Sequence, residues 1–156
     1  MQFKASTDYG IRAILYLAAQ GTTCSSRDIA EDMSIPRDYL IQLAQLLRNA
    51  GIIEARPGKH GGYRLAKDPG DISVLDVMNA LEEDSRQQTR ERRADRKGGE
   101  MVEEVKLAYD LIGECFDAFM ASLTMDSLLD CVENKGGSRA YLSNRLQEEA
   151  RRLMNA

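Results

Sequence analysis

Apolar positions recur along the chain at two different spacings, and the changes between them outline its elements. From Asp8 to Gln20 (DYGIRAILYLAAQ) they run almost without a break, predicting a buried helix with Ser6, Thr7 or Asp8 as its N-cap and Gly21 as its stop. Ser25 and Ser26 open a short helix, RDIAEDM, with Ile29, Ala30 and Met33 on one side. After a turn at Ser34-Ile35, Pro36 suits the first position of a third helix over 36–50, because its missing N–H is not needed there. That helix buries Leu40, Leu43, Leu47 and Ala50 and turns outward Arg37, Asp38, Tyr39, Ile41, Gln42, Gln45 and Arg48. Gly51 ends it. Two short runs, Ile52–Arg56 and Tyr63–Ala66, then flank Pro57-Gly58-Lys59-His60-Gly61-Gly62, which reads as a hairpin. Helix, turn, helix and basic hairpin together outline a winged helix-turn-helix.

Beyond the hairpin, Ser73 begins a short amphipathic helix over 73–82. The stretch 84–99 has no large apolar residue and a mixture of charges, so it reads as a flexible loop. From Met101 to Leu123 the pattern is strictest. Val102, Val105, Tyr109, Ile112, Phe116, Phe119 and Leu123 follow one another at alternating intervals of three and four. This is a heptad seam that two copies of the helix can bury together. The alternative is a helix packed on its own core. A short helix over Met125–Glu133 and a helix-forming tail from Ser138 complete the chain. The reading is therefore mainly α with a small β-hairpin wing, in three parts: 1–83 a DNA-reading domain, 84–100 a charged loop, and 101–156 a dimerisation helix with C-terminal helices.

Composition modifies this picture in one respect. The 156 residues carry a net charge of −4, which by itself argues against a nucleic-acid partner. Residues 1–70, however, hold nine basic against seven acidic side chains, net +2, whereas 71–156 hold twelve against eighteen, net −6. A basic front suits one face turned to phosphate. The N-terminus lacks the apolar core of a signal peptide and no eighteen-residue apolar stretch occurs, so a cytoplasmic protein without a membrane segment is expected.

The candidate chemistry is recognition rather than catalysis. Arg37 offers two donors to a guanine edge and Gln42 can pair bidentately with adenine, while Tyr39, Gln45 and Arg48 suit phosphate contacts or packing and Asp38 shares the same outward face. Ser25, Ser26 and Arg27 stand at a helix start, where backbone N–H groups favour a phosphate. In the wing, Arg56, Lys59, His60 and Arg64 surround Gly61 and Gly62, which let the backbone approach a duplex. No P-loop, dinucleotide fingerprint, base–nucleophile set or metal spacing is present, so the chain is not read as an enzyme. His60, the only histidine, has no Cys or His nearby at ligand spacing and is expected to face solvent.

Several motifs resemble the Rrf-two family of bacterial winged-helix regulators, which includes iron–sulfur cluster, nitric-oxide-sensing and cysteine-metabolism regulators. They are Ser6-Thr7-Asp8-Tyr9-Gly10-Ile11-Arg12-Ala13, Ile29-Ala30-Glu31, Ile35-Pro36-Arg37-Asp38-Tyr39-Leu40, Leu47-Arg48-Asn49-Ala50-Gly51-Ile52-Ile53, Gly61-Gly62-Tyr63-Arg64-Leu65-Ala66 and Ile72-Ser73-Val74-Leu75-Asp76-Val77. The likeness is close over about the first 83 residues. It implies a homodimeric repressor on double-stranded DNA, with a long helix crossing the partner and the two wings straddling an inverted repeat. Cluster-binding members carry three close cysteines before the dimerisation helix, and here residues 83–100 hold none, so no iron–sulfur cofactor is expected. Ile41 stands where several relatives place a glutamate. Cys115 and Cys131 are either thiols whose oxidation alters the dimer or small core residues, and a small effector between arm and winged domain is equally open. A winged helix that binds another protein, with DNA binding weak or lost, is the competing reading.

Overall fold

A computed structural model of the chain describes residues 3–58, 60–82, 99–133, 140, 143–144, 147–148 and 151–152. Its elements are α1 (Ala5–Gln20), α2 (Ser26–Asp32), α3 (Arg37–Asn49), β1 (Ile53–Arg56), β2 (Gly62–Leu65), a 3-10 turn at Pro69–Asp71, α4 (74–82), α5 (Glu100–Ser122) and α6 (Met125–Glu133). The architecture is mainly helical with one antiparallel hairpin, in the order of a winged helix. The expected charged loop falls on residues outside those described, apart from Gly99 and Glu100, which cap and open α5. The described tail residues, 140, 143–144, 147–148 and 151–152, are helical.

Most helix ends follow local chemistry. Gly21 stops α1 in the left-handed region, its N–H donating to the Leu17 carbonyl at 3.0 Å. The Ser25 hydroxyl accepts from the Asp28 N–H at 3.1 Å and so caps α2. At α4, Ser73 and Asp76 form a reciprocal capping box: Ser73 N–H donates to Asp76 Oδ2 at 2.8 Å and Asp76 N–H to Ser73 Oγ at 3.1 Å. Pro36 caps α3 from an extended conformation instead of occupying its first turn, so the helix proper begins at Arg37.

The start of α1 differs from the sequence expectation. The helix begins at Ala5, placing Ser6, Thr7 and Asp8 inside its first turn, and the capping residue Lys4 makes no side-chain bond there. The negative charge that helix starts favour comes from the end of α4. Thr7, fully buried, donates to Glu82 Oε1, while Lys4 Nζ pairs with Glu82 Oε2 at 3.0 Å. Gly10 faces Leu81 so closely that a Cβ there would collide with the leucine side chain. α1 and α4 are thus held together at one end by the half-buried Glu82 carboxylate and, at Gly10, by close packing.

One hydrophobic cluster runs through the described chain. It joins Ile14 and Leu17 of α1, Ile29 of α2, Leu40 and Leu47 of α3, Ile52 and Ile53 before and in the wing, and Val77 of α4. It also takes in Met120 and Met125, both almost fully buried, so the core continues past the expected boundary at residue 100. An isolated bridge between Ser73 and Thr124 fastens this region. Val74 N–H donates to the Leu123 carbonyl and Met125 N–H to the Ile72 carbonyl, each at 2.8 Å. No described helix is long and apolar enough to cross a membrane.

Candidate nucleic-acid interface

α3 divides cleanly by burial. Leu40, Leu43, Ala44 and Leu47 are buried, whereas Arg37, Asp38, Ile41, Gln42, Gln45, Leu46, Arg48 and Asn49 are exposed. At 3.6 residues per turn the exposed set forms one continuous outward face. Arg37 leans back toward the preceding helix, its Nε donating to Ser26 Oγ at 3.4 Å. The turn between α2 and α3 passes through Ser34 at φ 53°, with Ile35 N–H donating to the Ala30 carbonyl at 2.9 Å and the Ile35 side chain in the core.

Tyr39 does not belong to the open face. It is half-buried, and its ring meets Tyr9 of α1 edge-on at 5.8 Å. Arg12 lies over the Tyr9 ring, 5.5 Å from its centre, and pairs with Asp8 at 2.6 Å. Its Nη1 reaches the Met33 carbonyl at the end of α2 at 3.5 Å. These contacts fix α1 against both helices of the helix-turn-helix, a role that local sequence patterns did not reveal. Tyr16 adds to it: its hydroxyl donates to Asp32 Oδ2 at 2.9 Å, and that bond, with burial and the Asp32 charge, pushes the phenol up to about 12.

The wing is a short hairpin in which Ile53, Glu54, Ala55 and Arg56 pair with Leu65, Arg64, Tyr63 and Gly62. Its loop segment before α2 adds a third edge, since Cys24 and Tyr63 exchange both backbone bonds, at 2.9 and 2.8 Å. Arg56 and His60 are exposed as expected, and Lys59 lies outside the described residues. Arg64 is committed across the strands, where Nε and Nη2 both donate to Glu54 Oε2, at 2.8 and 2.6 Å. Arg27 is likewise ion-paired, to Glu31 at 2.8 Å, though exposed. The glycines serve the fold more directly than the duplex. A Cβ at Gly61 would strike the Arg56 carbonyl, and one at Gly62 would strike the Cys24 carbonyl. Ser25, half-buried, spends its acceptor on the α2 cap, and Ser26 faces Arg37.

The heptad seam splits in two. Val102, Val105, Tyr109 and Ile112 are exposed, while Phe116, Phe119 and Leu123 pack against the chain's own core. The packed half is thus the own-core alternative, with Met120, absent from the seam, as its most buried member. The exposed half carries more than the seam: Met101, Leu107 and Leu111 are exposed as well. Counting 100° per residue, Leu107 stands across the helix from Val105 and Ile112, and Leu111 lies on the flank between Leu107 and Ile112.

The thiols also separate. Cys115 is exposed, but Cys131 is buried and donates to the Ser127 carbonyl at 3.0 Å, which places it with the small core residues. Cys24 is buried too, and burial together with the Asp28 charge raises its thiol above the ordinary range. Among the described residues no three His, Cys, Asp or Glu side chains gather to hold a metal.

Comparison with known proteins places these features. The sequence profile of the Rrf2 (Rrf-two) family, described as an iron-dependent transcriptional regulator, matches residues 3–131. Among solved structures, an IscR from T. potens is 25% identical with a TM-score of 0.69, over 87% of this chain and 91% of that one. The oxidized form of Staphylococcus aureus CymR is 27% identical with a TM-score of 0.63, over 83% and 96%. CymR (YrzC), the global cysteine regulator of B. subtilis, shares the fold at 24% identity and a TM-score of 0.57, over 83% and 97%.

Proposed function

We propose that this chain, which belongs to the Rrf2 family of DNA-binding transcriptional regulators, acts as a homodimeric cytoplasmic repressor that reads an inverted repeat. The outward polar face of α3 carries the reading. A helix that has buried one apolar stripe, is braced from behind by α1 and α2, and keeps Arg37, Gln42 and Gln45 free of the core is built to enter a major groove. Arg37 and Gln42 supply base contacts. Arg48, Arg56 and His60, with Lys59, supply phosphate and minor-groove contacts that set position. Two copies joined through the exposed half of α5 present two such faces, which matches a repeat with two-fold symmetry.

The repressor works without an iron–sulfur cluster. The family description names iron, but residues 83–100 contain no cysteine or histidine, and the three thiols stand before α2, in α5 and in α6. Two of them are buried. Such a set does not meet the four-ligand need of a cluster.

Selection of duplexes from a random library by the purified full-length protein tests the function. One inverted repeat is expected to emerge, bound by protein that carries no iron when prepared under argon. Replacing Arg37 and Gln42 by Ala should relax preference at the contacted pairs by about 1–3 kcal/mol each, whereas Lys59→Ala should weaken all sequences alike. Retention that depends on salt but not on sequence would refute sequence reading by α3.

A further inference from the structure

The outward face of α3 is polar except at two positions, Leu46, 43% exposed at the face's far edge, and Ile41, nearer the N-terminal end that a recognition helix turns to base edges. Asp38, Gln42, Gln45 and Asn49 occupy its centre, Arg37 and Arg48 its shoulder, and Ile41 stands between them, 42% exposed. Ile41 belongs neither to the hydrophobic cluster nor to the partly buried residues packed against it. Folding does not explain it. A β-branched side chain is a poorer helix former than the arginines and glutamines around it, and exposed to water it stabilises nothing.

A major groove offers an apolar side chain one partner, the C5 methyl group of thymine, which marks T·A against every other pair. Ile41 follows Arg37 by four residues, so the two rise about 6 Å apart along the helix, within one or two base-pair steps of 3.4 Å. We infer that Ile41 is a base-reading residue that selects a thymine in each half-site through its methyl group, beside the pair engaged by Arg37 or Gln42. This assignment rests on α3 being the element that reads DNA. It gives the polar neighbours a second task. Their contacts set the depth of the helix, and that depth decides whether the isoleucine touches the methyl or leaves a gap.

The test begins with the winning duplex of the library selection. Each thymine is replaced in turn, in both half-sites, by deoxyuridine, which lacks only the methyl group. Binding of full-length wild type and of Ile41→Ala is followed by fluorescence anisotropy. At one position wild type should lose roughly three- to tenfold in affinity, the worth of one buried methyl, and Ile41→Ala should lose nothing there. Because Ile41 is exposed and outside the core, Ile41→Ala should melt like wild type, and an unchanged melt keeps the comparison valid. If wild type binds every deoxyuridine duplex equally, or if Ile41→Ala shows the same loss, Ile41 does not read thymine and the recognition helix stands without it. If no sequence is selected at all, α3 is not a reading helix and this assignment falls with it.

Discussion

The two halves of α5 share one spacing of apolar residues and use it differently. In the C-terminal half, Phe116, Phe119 and Leu123 pack on the chain's own core and Met120 is 2% exposed. In the N-terminal half, Val102, Val105, Tyr109 and Ile112 face outward, Ile112 at 63%. The difference arises at the end of the helix. The Ser73–Thr124 bridge ties the chain after α5 to the start of α4, so the last turns of the helix are drawn onto the winged domain. Apolar burial is not directional, so a stripe of this kind lowers the free energy against whichever surface reaches it. One half has found that surface within the chain. The other half exposes a set of large side chains of the sort that marks an interaction site.

Substitutions in the two halves should therefore fail in different ways. Met120→Ala removes a fully packed side chain from the single core and should cost about 2–5 kcal/mol, read as a lower midpoint in a urea melt. An unchanged midpoint would mean that the C-terminal half is not part of the folding core. Ile112→Glu should instead leave the far-ultraviolet spectrum intact and halve the mass in sedimentation. A charge buried at a two-fold contact without a partner weakens association by roughly 3 kcal/mol. A dimer that survives Ile112→Glu would show that the exposed half is not the contact.

Much of this was legible in the sequence where the deciding chemistry is local. Gly21 stops α1, Ser25 caps α2, and the Ser73 box opens α4 because each depends on residues within a few positions. The α3 stripe and the hairpin are legible for the same reason. What escaped depends on distant partners. The start of α1 is set by Glu82, about seventy-five residues away from Thr7, and nothing near Lys4 announces it. Gly61 and Gly62 read in the sequence as residues for close approach to a duplex, and the close contacts the fold itself imposes on them are with Arg56 and Cys24 of the same chain. The heptad pattern correctly identifies an apolar face on α5. It cannot say what covers that face, and so it merged a packed and an exposed stretch into one seam and passed over Met120. Cys131 is buried for a tertiary reason, which is why its spacing from Cys115 carried no information about reactivity.

A smaller effect sharpens what kind of contact the exposed half makes. In a two-stranded coiled coil only the seam is covered, and Leu107, on the opposite side of the helix, would remain in water. Leu107 is 72% exposed, and Leu111 beside it is also exposed, so the exposed apolar surface extends well around the helix. If the second copy covers only the seam, Leu107→Gln changes nothing in association, because glutamine is nearly as good a helix former and removes one exposed apolar side chain. If the second copy wraps both sides, the same change loses most of one buried leucine. We expect the latter, with the dimer weakened by about 1–2 kcal/mol, or roughly tenfold in its dissociation constant, measured by sedimentation equilibrium. A dissociation constant that does not move would confine the dimer contact to Val102, Val105, Tyr109 and Ile112 and would leave Leu107 to some other partner. Because Leu107 lies outside the chain's own core, either result can be read without interference from stability, which Met120→Ala cannot offer.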